Sequence, residues 1–330
     1  MRRMKFLHLM VSLPGRLEQI EPLATHVAPS LLKLLRRGRP LQPAAGYTAT
    51  LCDAFSVKQQ QDWPLAPLCA AAEGLDAKGY WLRLDPVHLE VGMGGLLMRS
   101  PDNLNLTLTE AHALIADINR HWQHERLSLQ AVSPTRWYLR SDEAPNLRTT
   151  PIDQMIGEYL TPGLPRGADA RLYLKLINDV QMLMHTHPVN LARELAGQLA
   201  INGLWLWGGG VLPAYKPNEV ESKTIQTPFD LVAADDFETL AMARWAGCRQ
   251  TASPDSLSTL KQSRRALAAL STPGANIQDD LESRLTELEQ NWFRPALSQL
   301  TRGGIGQLRL DLIGQRSVTL SPAHAWRVWL

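Results

Sequence analysis

The chain has 330 residues, 45% of them apolar and 20% charged, and a formal net charge of +2. That is enough for one large or two ordinary globular domains with a sizeable core. The charge gives no whole-chain argument for nucleic-acid binding, and no stretch approaches the roughly 18 apolar residues of a membrane span.

The opening "MRRMKFLHLMVSLPG" has the basic start and apolar run of a short signal peptide. Its apolar part, Phe6 to Leu13, is short, contains His8, and leads into Pro14, Gly15 and Arg16 in place of a small-x-small site. A first core strand over 5–13 explains it better. The three cysteines, Cys52, Cys69 and Cys248, lie far apart without a CxxC. They signal neither disulfides nor a thiolate metal site, and a cytoplasmic location is expected. Residues 17–37 carry helical periodicity interrupted by Pro22 and Pro29, and the basic stretch 31–39 reads as a solvated helix face ending at Gly38. A loop follows over 38–47, a short helix over 48–57, then a proline-broken segment leading to a helix.

"YWLRLDPVHLEV" (80–91) reads as a strand, a proline-containing turn and a second strand. The clearest helix is 106–122, with Thr109 as N-cap and no capping box, since His112 occupies N3. Two strands about Ser133–Pro134 follow over 127–140. Helices are expected over 168–186 and 189–199, with the break at Pro188. "GLWLW" then reads as a strand ended by Gly208–Gly210. Residues 229–247 read as strand, loop, helix and glycine cap, 253–300 as helical, 306–320 as a hairpin, and Ser321 as the start of a closing helix. Strands interleaved with helices predict an α/β fold. The hairpin–helix–hairpin pattern within it predicts a small α+β insertion. The expected division is a core of 1–84 and 151–330 with an inserted subdomain of 85–150.

Several clusters are candidates for chemistry. "WGGG" is neither a dinucleotide fingerprint nor a P-loop. It is a strand-end turn or the rim of a ligand pocket, with Trp205 or Trp207 as a wall. Asp85 and His88, three apart, can form a carboxylate-oriented general base or an ordinary proline turn. Arg136, beside two aromatics, can be an anion fork or a stacked support for the sheet. His185 and His187 do not share a helix face, and C-capping of the helix by a histidine explains them better than a metal pair. Asp235, Asp236 and Glu238 can bind a cation, or open a helix with Asp235 as N-cap. No GxSxG or HExxH signature is present.

Taken together, "YWLRLDPVHLEV", "SPTRWYLR", "MLMHTHPVNLARE", "NGLWLWGGGVLP" and the closing "AWRVWL" resemble the RpfE-type regulatory proteins of bacteria. That family is related to the cofactor-independent phosphoglycerate mutases of the alkaline phosphatase superfamily. The resemblance implies an alkaline-phosphatase/phosphoglycerate-mutase-like α/β core. It also places Ser12 where the mutases carry a metal-binding Asp, Tyr47 where their nucleophilic Ser stands, and Leu51 where they have a His. The late Asp and His metal ligands have no counterpart after residue 250, where the only histidine is His324. A two-metal phosphotransferase needs several carboxylate and imidazole ligands. The expectation is therefore a catalytically inactive relative with no cofactor, acting by binding a small phosphorylated or carboxylated ligand or a protein partner. Asp85, His88, Arg136, Asn202, Trp205 and Trp207 are the expected site lining. The alternative is a metal-dependent mutase or phosphatase that uses Mn²⁺ or Zn²⁺ in a rearranged site.

Overall fold

The computed structural model of the chain describes residues 3–214, 227–270 and 281–326. Its strands in chain order are β1 (Met4–Val11), β2 (Arg39–Leu41), β3 (Tyr80–Gly92), β4 (Gly95–Arg99), β5 (Leu127–Ala131), β6 (Trp137–Ser141), β7 (Gly203–Gly210), β8 (Leu231–Ala233), β9 (Arg249–Thr251), β10 (Arg265–Ala269), β11 (Ile305–Leu312) and β12 (Arg316–Leu320). The principal helices are α1 (Leu17–Val27), α2 (Pro29–Arg37), α3 (Gly46–Ala54), α4 (Leu65–Ala72), α5 (Leu108–His121), α6 (Ala170–His185), α7 (Pro188–Leu195), α8 (Phe237–Trp245), α9 (Leu281–Leu288) and α10 (Arg294–Thr301). This is the α/β architecture the sequence predicts.

The chain forms two compact units, 1–56 with 215–330, and 57–214. These boundaries differ from the expected 85–150 insertion. The cause is β7, which pairs along residues 81–87 of β3 and so ties the 150–214 segment to the smaller unit.

The larger unit is built on a seven-stranded sheet in the order β2-β12-β11-β1-β10-β8-β9. Strands β11, β1, β10, β8 and β9 run parallel. Parallel strands are covered on both faces, so they read as apolar runs without alternation, as "KFLHLMV" does. The odd residues Leu7, Leu9 and Val11 face a core that includes Leu31, Leu34 and Leu35 of α2, Leu285 and Leu288 of α9, and Leu300 of α10. The 253–300 stretch is not one helical region. Residues 265–269 form β10, whose run of alanine and leucine lies between β1 and β8 and is buried along Ala266–Ala269. An apolar run that short does not distinguish a buried strand from a helix. Its 271–280 part, and the 327–330 end of "AWRVWL", lie outside the described residues.

The smaller unit has an antiparallel sheet in which β6 lies between β5 and β3, and β3 also pairs with β4 and β7. The expected break at Pro86 does not occur. β3 runs through it for 13 residues. Pro86 falls between the residues that pair with β6 (80–83) and those that pair with β4 (88–92), an interruption of the ladder where a missing N–H is tolerated. Leu114 and Ile118 of α5 and Leu176, Val180 and Met184 of α6 close the core over Leu82, Leu84, Leu204 and Leu206. The N-cap of α5 is Thr107, two residues earlier than predicted. It forms a capping box with Glu110, whose carboxylate accepts from the Thr107 N–H at 2.8 Å.

The triple glycine is not a turn beyond the strand but part of β7. The register with β3 shifts between Trp81 and Arg83, so Gly208 and Gly209 together oppose Leu82. That is a β-bulge, and Gly208 takes the left-handed conformation (φ +70°) that bulges of this kind reserve for glycine. A Cβ at Gly209 would lie 2.7 Å from the Tyr80 hydroxyl, and one at Gly210 would lie 2.6 Å from Pro64 Cβ. The glycines let the strand bend under the start of α4. Six of the ten tryptophans lie in this unit, so fluorescence reports its unfolding. Gly208→Ala is expected to lower stability by about 1–2 kcal/mol, the left-handed cost of a Cβ, seen as a lower urea midpoint by tryptophan fluorescence.

Candidate functional site

Two polar clusters merit attention, one in each unit. In the smaller unit, Asp85 lies on β3 and is 2% exposed. Its carboxylate accepts from Arg83 Nε at 2.9 Å, Arg83 Nη2 at 2.9 Å, the Trp137 backbone N–H at 3.1 Å and Trp207 Nε1 at 2.8 Å. Burial pushes its carboxyl pKa up, and the Arg83 charge opposes that shift. All four partners are donors, so the carboxylate is the form they stabilise. The Arg83 guanidinium lies 5.3 Å from the Tyr138 ring centre and 5.2 Å from that of Trp207, close enough for cation–π attraction. Strands β3, β6 and β7 are thereby tied together from inside.

The sequence-predicted lining comes together only in part: Asp85 and Trp207 are bonded, but the other members have separate partners. Residues three apart on a strand point to opposite faces, so Asp85 does not orient His88. The His88 Nδ1 instead lies 2.8 Å from the Ala200 carbonyl oxygen. Trp207 is bound to Asp85. Arg136 donates to Glu73 from Nε at 2.9 Å and from Nη2 at 2.6 Å, so its fork already holds a carboxylate. The Asn202 amide accepts from the Leu89 N–H at 2.6 Å and donates to the Leu89 carbonyl at 2.9 Å. It serves the backbone where β7 begins. Trp205 Nε1 donates to the Thr150 carbonyl at 2.9 Å. "HTHP" caps in a different sense from that predicted: His187 is the N-cap of α7, its Nδ1 accepting from the Val189 N–H at 3.1 Å while Nε2 faces Asp117 at 3.2 Å.

The larger unit holds the second cluster, at the carboxyl ends of its parallel strands, where open α/β sheets bind ligands. Ser12 follows β1 and is exposed. Asp236 follows β8 and caps α8 through the Thr239 N–H at 2.8 Å. The cap is Asp236, one residue later than predicted. Tyr47, in the first turn of α3, donates its hydroxyl to Asp236 Oδ2 at 2.6 Å and lies 2.6 Å from Thr239 Oγ1. It is 4% exposed. Burial and the neighbouring Asp236 charge raise the Tyr47 phenol well above its ordinary range. Burial and Glu238 push Asp236 up to about 6. Leu51, one turn along α3, is fully buried. Among the described residues, no group of three or more His, Cys, Asp or Glu side chains is placed to hold a metal ion.

Deeper in the same sheet lies a group the sequence reading missed. His8 Nε2 is 2.5 Å from Asp311 Oδ2, and both residues are 1% exposed. Arg309 joins Asp311 (2.9 Å) to Asp53 of α3 (2.7 Å). Burial lowers the pKa of His8. That of Asp311 is lowered too: its burial is outweighed by the bond and charge of His8, and then by Ser317 and Arg309. A neutral imidazole donating to an ionised carboxylate satisfies both directions. The partners are 303 residues apart, and only the parallel register of β1 and β11 brings them together.

No family model matches the chain. By sequence it is similar to 2,3-bisphosphoglycerate-independent phosphoglycerate mutases. That of Methanosarcina mazei is 36% identical over 66 residues, covering 20% of this chain and 17% of the mutase. That of Methanosarcina acetivorans is 28% identical over 155 residues, covering 46% and 38%. The relatives it resembles are phosphoglycerate mutases. The matched stretches span less than two fifths of either mutase's length. By structure, the PH0037 protein of Pyrococcus horikoshii aligns with a TM-score of 0.53 at 14% identity, over 96% of this chain and 87% of that one, which shows a shared fold. Among the described residues, no helix is long and apolar enough to cross a membrane.

Two outcomes follow from these clusters. Asp85→Ala leaves Arg83 charged and unpaired in the core and is expected to destabilise the protein by about 3–5 kcal/mol, read as a loss of the cooperative urea transition at its wild-type position. The folded pKa of Asp236 lies above its unfolded value of 3.8. The folded state therefore binds the extra proton, and the contribution of Asp236 to stability falls as pH rises from about 4 to 6. Asp236→Asn is expected to flatten the wild-type pH dependence in that window by roughly 3 kcal/mol at most, as measured by urea midpoints at successive pH values.

Proposed function

We propose that the chain is a phosphoglycerate-mutase-like protein that does not carry out the mutase reaction and acts by binding, in a regulatory role of the RpfE type. The observation that carries this reading is the state of Tyr47. The resemblance assigns this position to the nucleophile, and here it is a buried phenol locked to Asp236 and Thr239. A nucleophile needs a lowered pKa or an adjacent base with access to substrate. The Tyr47 pKa moves the other way, and its oxygen lies within hydrogen-bond distance of two protein groups. Ser12 and Leu51, which the resemblance assigns to the positions of metal and imidazole ligands, supply neither.

The ligand proposed for this role is a small phosphorylated or carboxylated molecule, or a protein partner. In the smaller unit the two arginines beside the candidate lining, Arg136 and Arg83, are already held by Glu73 and Asp85. The carboxyl ends of the parallel strands in the larger unit, beside the exposed Ser12, are the better location. Similarity to the mutases favours a second reading, a metal-dependent mutase or phosphatase with a rearranged site.

The test is elemental analysis of protein purified without chelator or affinity-tag metal, followed by a 3-phosphoglycerate to 2-phosphoglycerate assay with and without Mn²⁺ or Zn²⁺. Neither stoichiometric metal nor turnover is expected, and Tyr47→Phe is expected to leave the assay at background. Near-stoichiometric metal with metal-dependent turnover would replace the binding reading by the enzymatic one.

A further inference from the structure

We infer that the smaller unit holds a binding cavity for a small uncharged molecule with an apolar body. The cavity, of about 250 Å³, lies among β3, β7 and α6. Val87, Leu89, Leu204, Ile177 and Trp205 are among its walls. At roughly 30 Å³ per water-sized group it has room for about eight heavy atoms. Its lining contains no Asp, Glu, Lys, Arg or His, so it offers a phosphate or carboxylate no counter-charge.

The helix explains why the space exists. α6 carries two apolar stripes. Tyr173, Leu176, Val180 and Met184 are buried in the core. Leu174 and Ile177, with Gln181 one turn on, form a second row at helical spacing and stay half-buried over the cavity. The space is a cleft open on one side, where Leu96, Leu164 and Asn178 of its lining are exposed. The polar groups there are largely committed elsewhere. Trp205 Nε1 donates to Thr150 and Gln181 Nε2 donates to the Asn202 carbonyl at 3.1 Å. The indole therefore presents ring carbon to the space. Thr161 and Asn178 are exposed members of the lining and can meet one hydroxyl or amide at the end of the ligand. Ligand sites are concave, mostly apolar clefts with a few polar groups, and this one has that make-up. This assignment does not depend on whether the larger unit is catalytic.

The experiment compares 1-hexanol with hexanoate, matched in length and opposite in charge state, by amide chemical-shift titration of the full chain. The expected result is saturable shifts with hexanol confined to residues of α6, β3 and β7 around the cavity, and binding of hexanoate at least about tenfold weaker, because burying its carboxylate unpaired is costly. Ile177→Trp fills the space from a half-buried position and is expected to abolish the hexanol shifts while leaving the thermal midpoint near wild type. Leu174→Phe is the second filling variant, should Ile177→Trp fail to fold. Absence of saturation up to the solubility of hexanol, equal binding of hexanoate, or unchanged shifts in a folded filling variant would each overturn the proposal.

Discussion

A charge inside a sheet is tolerated only where partners converge on it, and each unit is organised about one such carboxylate. Asp85 draws Arg83, the Trp137 backbone and the Trp207 indole into one knot, fixing the registers of β3, β6 and β7 relative to one another. Asp311 does the same for β1 and β11 through His8, and reaches α3 through Arg309 and Asp53. A one-residue slip of any of these strands would part each carboxylate from its charged and donor partners, so the ion groups reinforce the registers that the buried apolar residues set. The rest of each unit, helices included, packs on sheets held this way.

The carboxyl edge of the larger sheet is arranged on a different principle. The resemblance assigns Ser12, Tyr47 and Leu51 to positions of the mutases' phosphotransferase centre. Tyr47 fills its position with a ring and seals its hydroxyl against Asp236 and Thr239. The result is a packed, hydrogen-bonded junction between the first turns of α3 and α8.

Much of the architecture was legible because it rests on local signals. The apolar run of β1, the periodicity of α5 and α6, the hairpin about residues 313–315 and the alternation of strands with helices all follow from spacing. The cap residues were displaced by one or two positions, since Thr107 and Thr109, or Asp235 and Asp236, are equally good caps until the backbone chooses. The Asp85–His88 pairing failed for a deeper reason. Asp85 and His88 read as a pair in the sequence, but strand geometry separates them; Arg83, two residues back on the same face, is the local partner of Asp85, and the others come from strands about 50 and 120 residues away. Glu73 for Arg136, Asp311 for His8 and Asp236 for Tyr47 are likewise non-local, and no spacing rule announces them. The one device that could have been anticipated is the bulge. Three glycines after a tryptophan-rich strand are compatible with a bend inside the strand as well as with a turn after it, and the choice needs the β3 register.

The Asn202 amide has a consequence for how the protein behaves in crowded solution. Where β7 gives out, the backbone of Leu89 would present a free donor and acceptor at the margin of the sheet, a template on which a second extended chain can assemble. The amide answers both groups from a single side chain and closes that margin without adding a strand. The smaller unit thereby gains resistance to strand-by-strand aggregation at the point where its sheet narrows.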